Sequence, residues 1–133
     1  MSIYDGKLNT IIALIGTYFT WIFGAWGEVL AILITLMVAD YLFGLIKAFV
    51  LKTLSSSIGF RGIAKKSGIL VIVAVAALLD RLINGGDWIF KTLVCYFYIA
   101  NEALSILENC SVIGLPIPAK IKDALEQLRK ENK

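Results

Sequence analysis

Four apolar runs, separated by short polar breaks, organise the first 110 residues. Runs of this length predict helices that cross a bilayer rather than strands or a soluble core. Residues 8–23 form the first run and contain no Asp, Glu, Lys or Arg. At about 1.5 Å per residue this run gives about 24 Å against a hydrocarbon layer of roughly 30 Å, the short limit for a span, so four spans are expected and three stay open. Residues 29–51 give a second span, interrupted by Asp40 near its middle and Lys47 near its end. Residues 68–84 give a third, unbroken until Asp80 and Arg81. Residues 88–110 give a fourth, with Lys91 towards its outer end and Asn101 and Glu102 further in. The breaks read as a Gly24–Glu28 turn anchored by Trp26, a Ser- and Gly-containing linker over Lys52–Ser67, and a tight turn at Asn84–Asp87.

After Pro118 the pattern changes to a thin stripe of Ile121, Leu125 and Leu128 with Lys122, Glu126 and Lys130 at four-residue spacing. This predicts a short amphipathic helix, marginal alone, that lies against anionic headgroups. The fold class is therefore an all-α integral membrane protein: a transmembrane domain over residues 1–117 and a basic tail over 118–133. Lys and Arg set its orientation. Arg61, Lys65 and Lys66 in the linker, and Lys120, Lys122, Arg129, Lys130 and Lys133 in the tail, place both segments on the cytoplasmic side as headgroup contacts. The Gly24–Glu28 turn has no cation and the Asn84–Asp87 turn is acidic, so both face outward. Lys7 precedes an apolar run longer than a signal-peptide core, and the N-terminal segment is expected to be retained.

Each span carries one side unsuited to lipid. On the first, Asn9, Ala13, Gly16, Thr17, Thr20 and Gly24 recur at helical steps and form a small or hydroxylic face for helix packing. On the second, Asp40, Gly44, Lys47 and Ala48 share a face, and on the third Ala77, Asp80, Arg81 and Asn84 do. The fourth has the longest stripe, Lys91, Cys95, Tyr98, Glu102, Ser105 and Asn109, with Asn101 beside it. Membrane charges cost several kcal/mol unless paired or hydrated, so these positions are candidates for buried or pore-facing roles. Counted from the cytoplasmic ends, Asp40 and Arg81 fall at similar depth, which predicts a buried pair; the alternative leaves Asp80 and Arg81 at the outer interface. The polar faces need cover from other helices or other copies, and a homo-oligomer is expected.

Composition narrows the function classes. With 59% hydrophobic residues and 17% charged ones, the 133-residue chain has no soluble core large enough to hide its apolar surface. The net charge of +3 sits in clusters flanking apolar runs, which suits lipid headgroups rather than nucleic acid. There is no His, no Gly-rich phosphate loop and no Cys cluster with metal spacing, so no enzyme, metal or cofactor is expected. Cys95 and Cys110 read as reduced, packed thiols.

The stretch Tyr96–Pro118, YFYIANEALSILENCSVIGLPIP, resembles the phage holin family of the toxin-secretion and phage-lysis type. Asp40-Tyr41 followed by Gly44, the Ser57–Lys66 segment with Gly62 and Lys65-Lys66, and Asp80 resemble that family in the same order. The resemblance implies a small protein of the bacterial inner membrane that oligomerises and, at a timed moment, makes lesions through which an endolysin or a toxin escapes. It implies no catalytic residue, and it carries over Asp40, Glu102, Glu108 and Asn109 as structural or pore-facing positions. The methionine after Met1 is Met37, inside a span, which argues against a second product from a nearby start codon. Two other readings stay open: a small proton-coupled transporter using a membrane carboxylate, and an inhibitory antiholin built to the same pattern.

Overall fold

A computed structural model describes residues 3–24 and 27–131, apart from the side chains of 128, 129 and 131. Trp26 and Lys133 lie outside the described residues, as do the side chains of Leu128 and Arg129. Five helices follow in order: α1 (Ile3–Phe23), α2 (Glu28–Val50), α3 (Ser56–Ile83), α4 (Ile89–Val112) and α5 (Ala119–Glu131). No strand occurs among the described residues. Of the five, α2, α3 and α4 are long and apolar enough to cross a membrane. The 21 residues of α1 include Asp5, Lys7, Asn9 and three threonines, and this helix is not among them. Three spans are thus the arrangement that length and apolarity support.

The third span starts earlier than its composition suggests. Ser55 adopts an extended conformation and its hydroxyl accepts from Ile58 N–H at 3.2 Å, capping a helix that then runs 28 residues. Most of the Lys52–Ser67 segment, expected as a linker, is therefore the first part of α3, and only residues 51–55 connect it to α2. Ser55 here caps a helix rather than breaking one.

The bundle is held mainly by α4, which packs most extensively on α2 and then on α3; α2 and α3 meet over a shorter stretch. Leu30, Leu33, Met37, Ile69, Val73 and Cys95 form the dry centre together with Phe23. Many other apolar side chains, among them Val38, Leu42, Phe49, Val71 and Val75, point outward. In lipid that outward surface is solvated, and it is close packing and polar contact that hold the helices together.

Where α2 meets α3, the Tyr41 ring lies on the α3 backbone and its hydroxyl donates to the Gly59 carbonyl at 3.4 Å. A Cβ at Gly62 would sit 2.9 Å from Tyr41 Cε2. Gly62→Ala is therefore expected to displace the ring and destabilise the bundle by about 1–3 kcal/mol. A lowered thermal midpoint of the detergent-solubilised protein checks this, with Gly68→Ala, which meets no atom within 4 Å, as the neutral comparison.

The tail is more closely attached than its thin stripe suggests. After the turn in which Leu115 N–H donates to the Cys110 carbonyl, α5 returns along the end of α4. Leu125 is half-buried there, and a cleft of about 240 Å³ lies between Leu104, Leu107 and Ser111 on one side and Lys122 and Leu125 on the other. Ile121 stays exposed.

Candidate functional site

Asp40 lies ten residues before the end of α2, Lys66 ten residues after the start of α3, and Glu102 ten residues before the end of α4. These ends belong to the same side of the bundle, so all three side chains sit about 15 Å in from it. There they meet. Lys66 Nζ donates to Asp40 Oδ2 and to Glu102 Oε2, each at 2.5 Å. Asn109, two turns further along α4, donates from Nδ2 to Asp40 Oδ1 at 3.1 Å. Glu102 is only 4% exposed, and the Asp40 and Lys66 side chains are mostly buried. One ammonium thus bridges two carboxylates and pins the three spans at one level, with a formal charge of −1.

Polar cavities flank this cluster. One of about 340 Å³ runs towards the 51–55 connection and is lined by Asp40, Lys47, Lys65, Lys66, Gly44 and Asn109, with Ala48 buried in its wall. The other, about 230 Å³, is bounded by Tyr98, Asn101, Glu102, Ser105 and Glu108. On the far side of the cluster the dry centre closes the bundle.

A second polar group closes the opposite end. Asp80 is fully buried, and its carboxylate accepts from Asn84 Nδ2, Phe90 N–H and Lys91 N–H, each at 2.8 Å. An anion at the first turn of α4 meets unpaired N–H groups and the positive end of the helix dipole. Arg81 turns the other way. Its Nη2 donates to the Trp21 carbonyl at 2.6 Å, and its guanidinium lies 4.8 Å from the Trp21 ring and 5.1 Å from the Trp88 ring. Lys91 Nζ also stands over the Trp88 ring, 4.8 Å from its centroid. Gly24, with φ +74, ends α1 against the same Trp88 ring.

The expected Asp40–Arg81 pair is therefore replaced by Asp40–Lys66. A span beginning near Gly68 would put Arg81 level with Asp40; α3 begins at Ser56 instead, and Arg81 lies fifteen residues, about 22 Å, beyond Lys66. Lys66 correspondingly leaves the headgroup set and enters the interior. Its signal was periodic: Lys66, Ile69, Val73, Ala76 and Asp80 follow three- and four-residue steps along the buried face of α3. Asp80 and Lys91 do not line a pore within the subunit; both are buried in the end cluster.

The remaining sites divide by exposure. Tyr98, Asn101 and Ser105 are half-buried beside Glu102, and Asn109 is buried. Gly16, Thr17 and Thr20 are exposed; Thr17 and Thr20 donate to the Ala13 and Gly16 carbonyls of their own helix, and Gly16 approaches no other element. Within one subunit the packing face expected on α1 is thus exposed at Gly16, Thr17 and Thr20 and used at Gly24, which meets Trp88. Arg61, Lys65, Lys120, Lys122 and Lys130 are exposed. Among the described residues no three His, Cys, Asp or Glu gather in a metal-holding group, and Cys95 and Cys110 are buried free thiols.

Residues 17–130 match the bacteriophage holin family. The chain is 55% identical over 117 residues to an uncharacterized 14.9 kDa protein of Clostridium perfringens, covering 88% of this chain and 89% of that one. It is 45% identical over 122 residues to an uncharacterized protein of Clostridium acetobutylicum, covering 92% and 98%. A probable holin of Bacillus phage phi105 is 38% identical over 109 residues, covering 80% of this chain and 79% of the phage protein. No solved structure matches. An all-helical chain with three helices able to cross a bilayer, matched over residues 17–130 by one family, has its place settled: it belongs to the bacteriophage holin family.

Proposed function

We propose that this protein is a working holin, which accumulates in the bacterial cytoplasmic membrane, gathers into homo-oligomers and at a timed moment opens lesions that release an endolysin, or in a related setting a toxin. The observation that carries this reading is the ion cluster. Asp40, Lys66 and Glu102 stand about 15 Å in from their helix ends, where a passive anchor has no use for charge, and one subunit keeps them closed among its own three spans. A closed cluster lets single copies reside harmlessly in lipid. When copies gather and the spans part, the same side chains, with Asn101, Ser105 and Asn109, supply a hydrophilic lining.

The 51–55 connection and α5 face the cytoplasm in this reading, because Arg61, Lys65, Lys120, Lys122 and Lys130 all lie on that side and meet anionic lipid there. Inducible expression with simultaneous recording of membrane potential and release of a cytoplasmic reporter enzyme tests the proposal. A lag followed by abrupt depolarisation and enzyme release is the expected result. The polar cavity beside Glu102 favours a transporter as the second reading. Ion-gradient-dependent solute flux across membranes that retain the enzyme would establish it, and delayed lysis on co-expression with a second holin would mark an antiholin.

A further inference from the structure

We infer that the 340 Å³ cavity between α2 and α3 is a binding site for the phosphodiester headgroup of an anionic glycerophospholipid, held by Lys47 and Lys65. The inference rests on the spans being embedded in lipid and not on lesion formation. Lys47 comes from the last turn of α2 and Lys65 from the first half of α3, so the two ammonium-bearing side chains reach the cavity from opposite walls. Neither takes part in an ion pair among the described residues, whereas Lys66 beside them bridges two carboxylates.

Charge identifies the ligand. The cavity and its ionic floor hold three cations, Lys47, Lys65 and Lys66, and two anions, Asp40 and Glu102, an excess of +1. Both oxygens of Asp40 are already taken, Oδ2 by Lys66 and Oδ1 by Asn109, so the floor repels an incoming anion less than a bare carboxylate does. A phosphodiester carries one negative charge and brings the group to neutrality. A zwitterionic headgroup leaves the excess, and a dianionic phosphate overshoots it. Each lysine offers three N–H donors to the phosphate oxygens. The cavity opens near the 51–55 connection, at the level where headgroups lie, and its volume accommodates a phosphate with its glycerol ester.

The test uses the full chain in nanodiscs of mixed phosphatidylglycerol and phosphatidylcholine, with lipids retained after gentle detergent release counted by native mass spectrometry. Preferential retention of phosphatidylglycerol is expected, falling about fivefold for each of Lys47→Gln and Lys65→Gln and surviving in Lys47→Arg/Lys65→Arg. An unchanged preference in Lys47→Gln/Lys65→Gln overturns the site. An equal loss in Lys120→Gln/Lys122→Gln overturns it too, since those exposed α5 lysines report only general surface attraction. Displacement of the lipid by millimolar inorganic phosphate would assign the cavity to a soluble anion instead and overturn the lipid as its occupant.

Discussion

Lys66→Met is expected to be the most damaging single substitution in the bundle, lowering its stability by about 3–5 kcal/mol, because it removes one partner of a buried ion pair and leaves the other charge uncompensated. Here two charges are left. Asp40 Oδ2 and Glu102 Oε2 each lie 2.5 Å from the same nitrogen, so they stand no more than about 5 Å apart, and without the ammonium they repel across the junction of α2 and α4. Folded domains hold a margin of only about 5–15 kcal/mol, so the loss should appear as a large drop in thermal midpoint in detergent and as poor accumulation in the membrane. The triple variant Asp40→Asn/Lys66→Met/Glu102→Gln removes all the charges while keeping similar shapes and should recover most of the midpoint. A triple variant as unstable as Lys66→Met would show that side-chain shape, and not charge compensation, holds the spans.

The functional consequence can be read from the same pair of variants. If the closed cluster keeps single copies harmless, whatever Lys66→Met reaches the membrane should depolarise it early, since its spans part more readily. The neutral triple variant should accumulate and depolarise late or not at all, because it lacks the charged groups that would draw water into a lesion. Equal onset times for the parent and both variants would separate the cluster from the lesion while leaving its structural role intact.

How much of this was legible beforehand depended on the kind of signal each residue carries. The spans α2 and α4 are long, predominantly apolar runs, and length together with apolarity identifies them. The stripe Lys91, Cys95, Tyr98, Glu102, Ser105 and Asn109 is visible as periodicity; Lys91, Cys95, Glu102 and Asn109 are buried, and Tyr98 and Ser105 are half-buried. Periodicity shows that a face avoids lipid but not what covers it. The stripe meets the chain's own α2 and α3, so it does not by itself demand a second copy. The start of α3 was hidden because Ser, Gly and Lys weigh towards a loop in any average over composition, whereas the cap at Ser55 and the phase of Lys66 with Ile69 and Val73 are local facts. Once the helix start moved by twelve residues, from Gly68 to Ser56, every depth reckoned from it moved as well, and Lys66 rather than Arg81 became the partner of Asp40. Arg81 found instead the rings of Trp21 and Trp88, a tertiary contact for which sequence spacing has no signature.

Asp80→Ala is the second substitution expected to have a large effect, costing about 2–4 kcal/mol through lost charge-assisted hydrogen bonds and unsatisfied backbone donors. Asp80 closes the turn between α3 and α4 by receiving three donors from beyond its own helix end or its last turn: Asn84 Nδ2, Phe90 N–H and Lys91 N–H. It thereby acts as the cap that Trp88, whose side chain makes no capping hydrogen bond, does not provide. In Asp80→Ala the amides of Phe90 and Lys91 lose their acceptor in a site that is closed to solvent. In Asp80→Asn one acceptor oxygen remains but an NH2 group faces a donor, so that variant should fall between Ala and the parent. Hydrogen–deuterium exchange distinguishes capping from general loosening: faster exchange is expected over the first turn of α4, with the amides around Glu102 unchanged. If instead Asp80 were an ordinary interfacial carboxylate, neither the thermal midpoint nor the exchange of that turn would move. The two substitutions therefore probe opposite ends of one arrangement, in which charge inside the membrane is tolerated at Asp80 because backbone N–H groups converge on it and at Asp40 and Glu102 because a single lysine spans both.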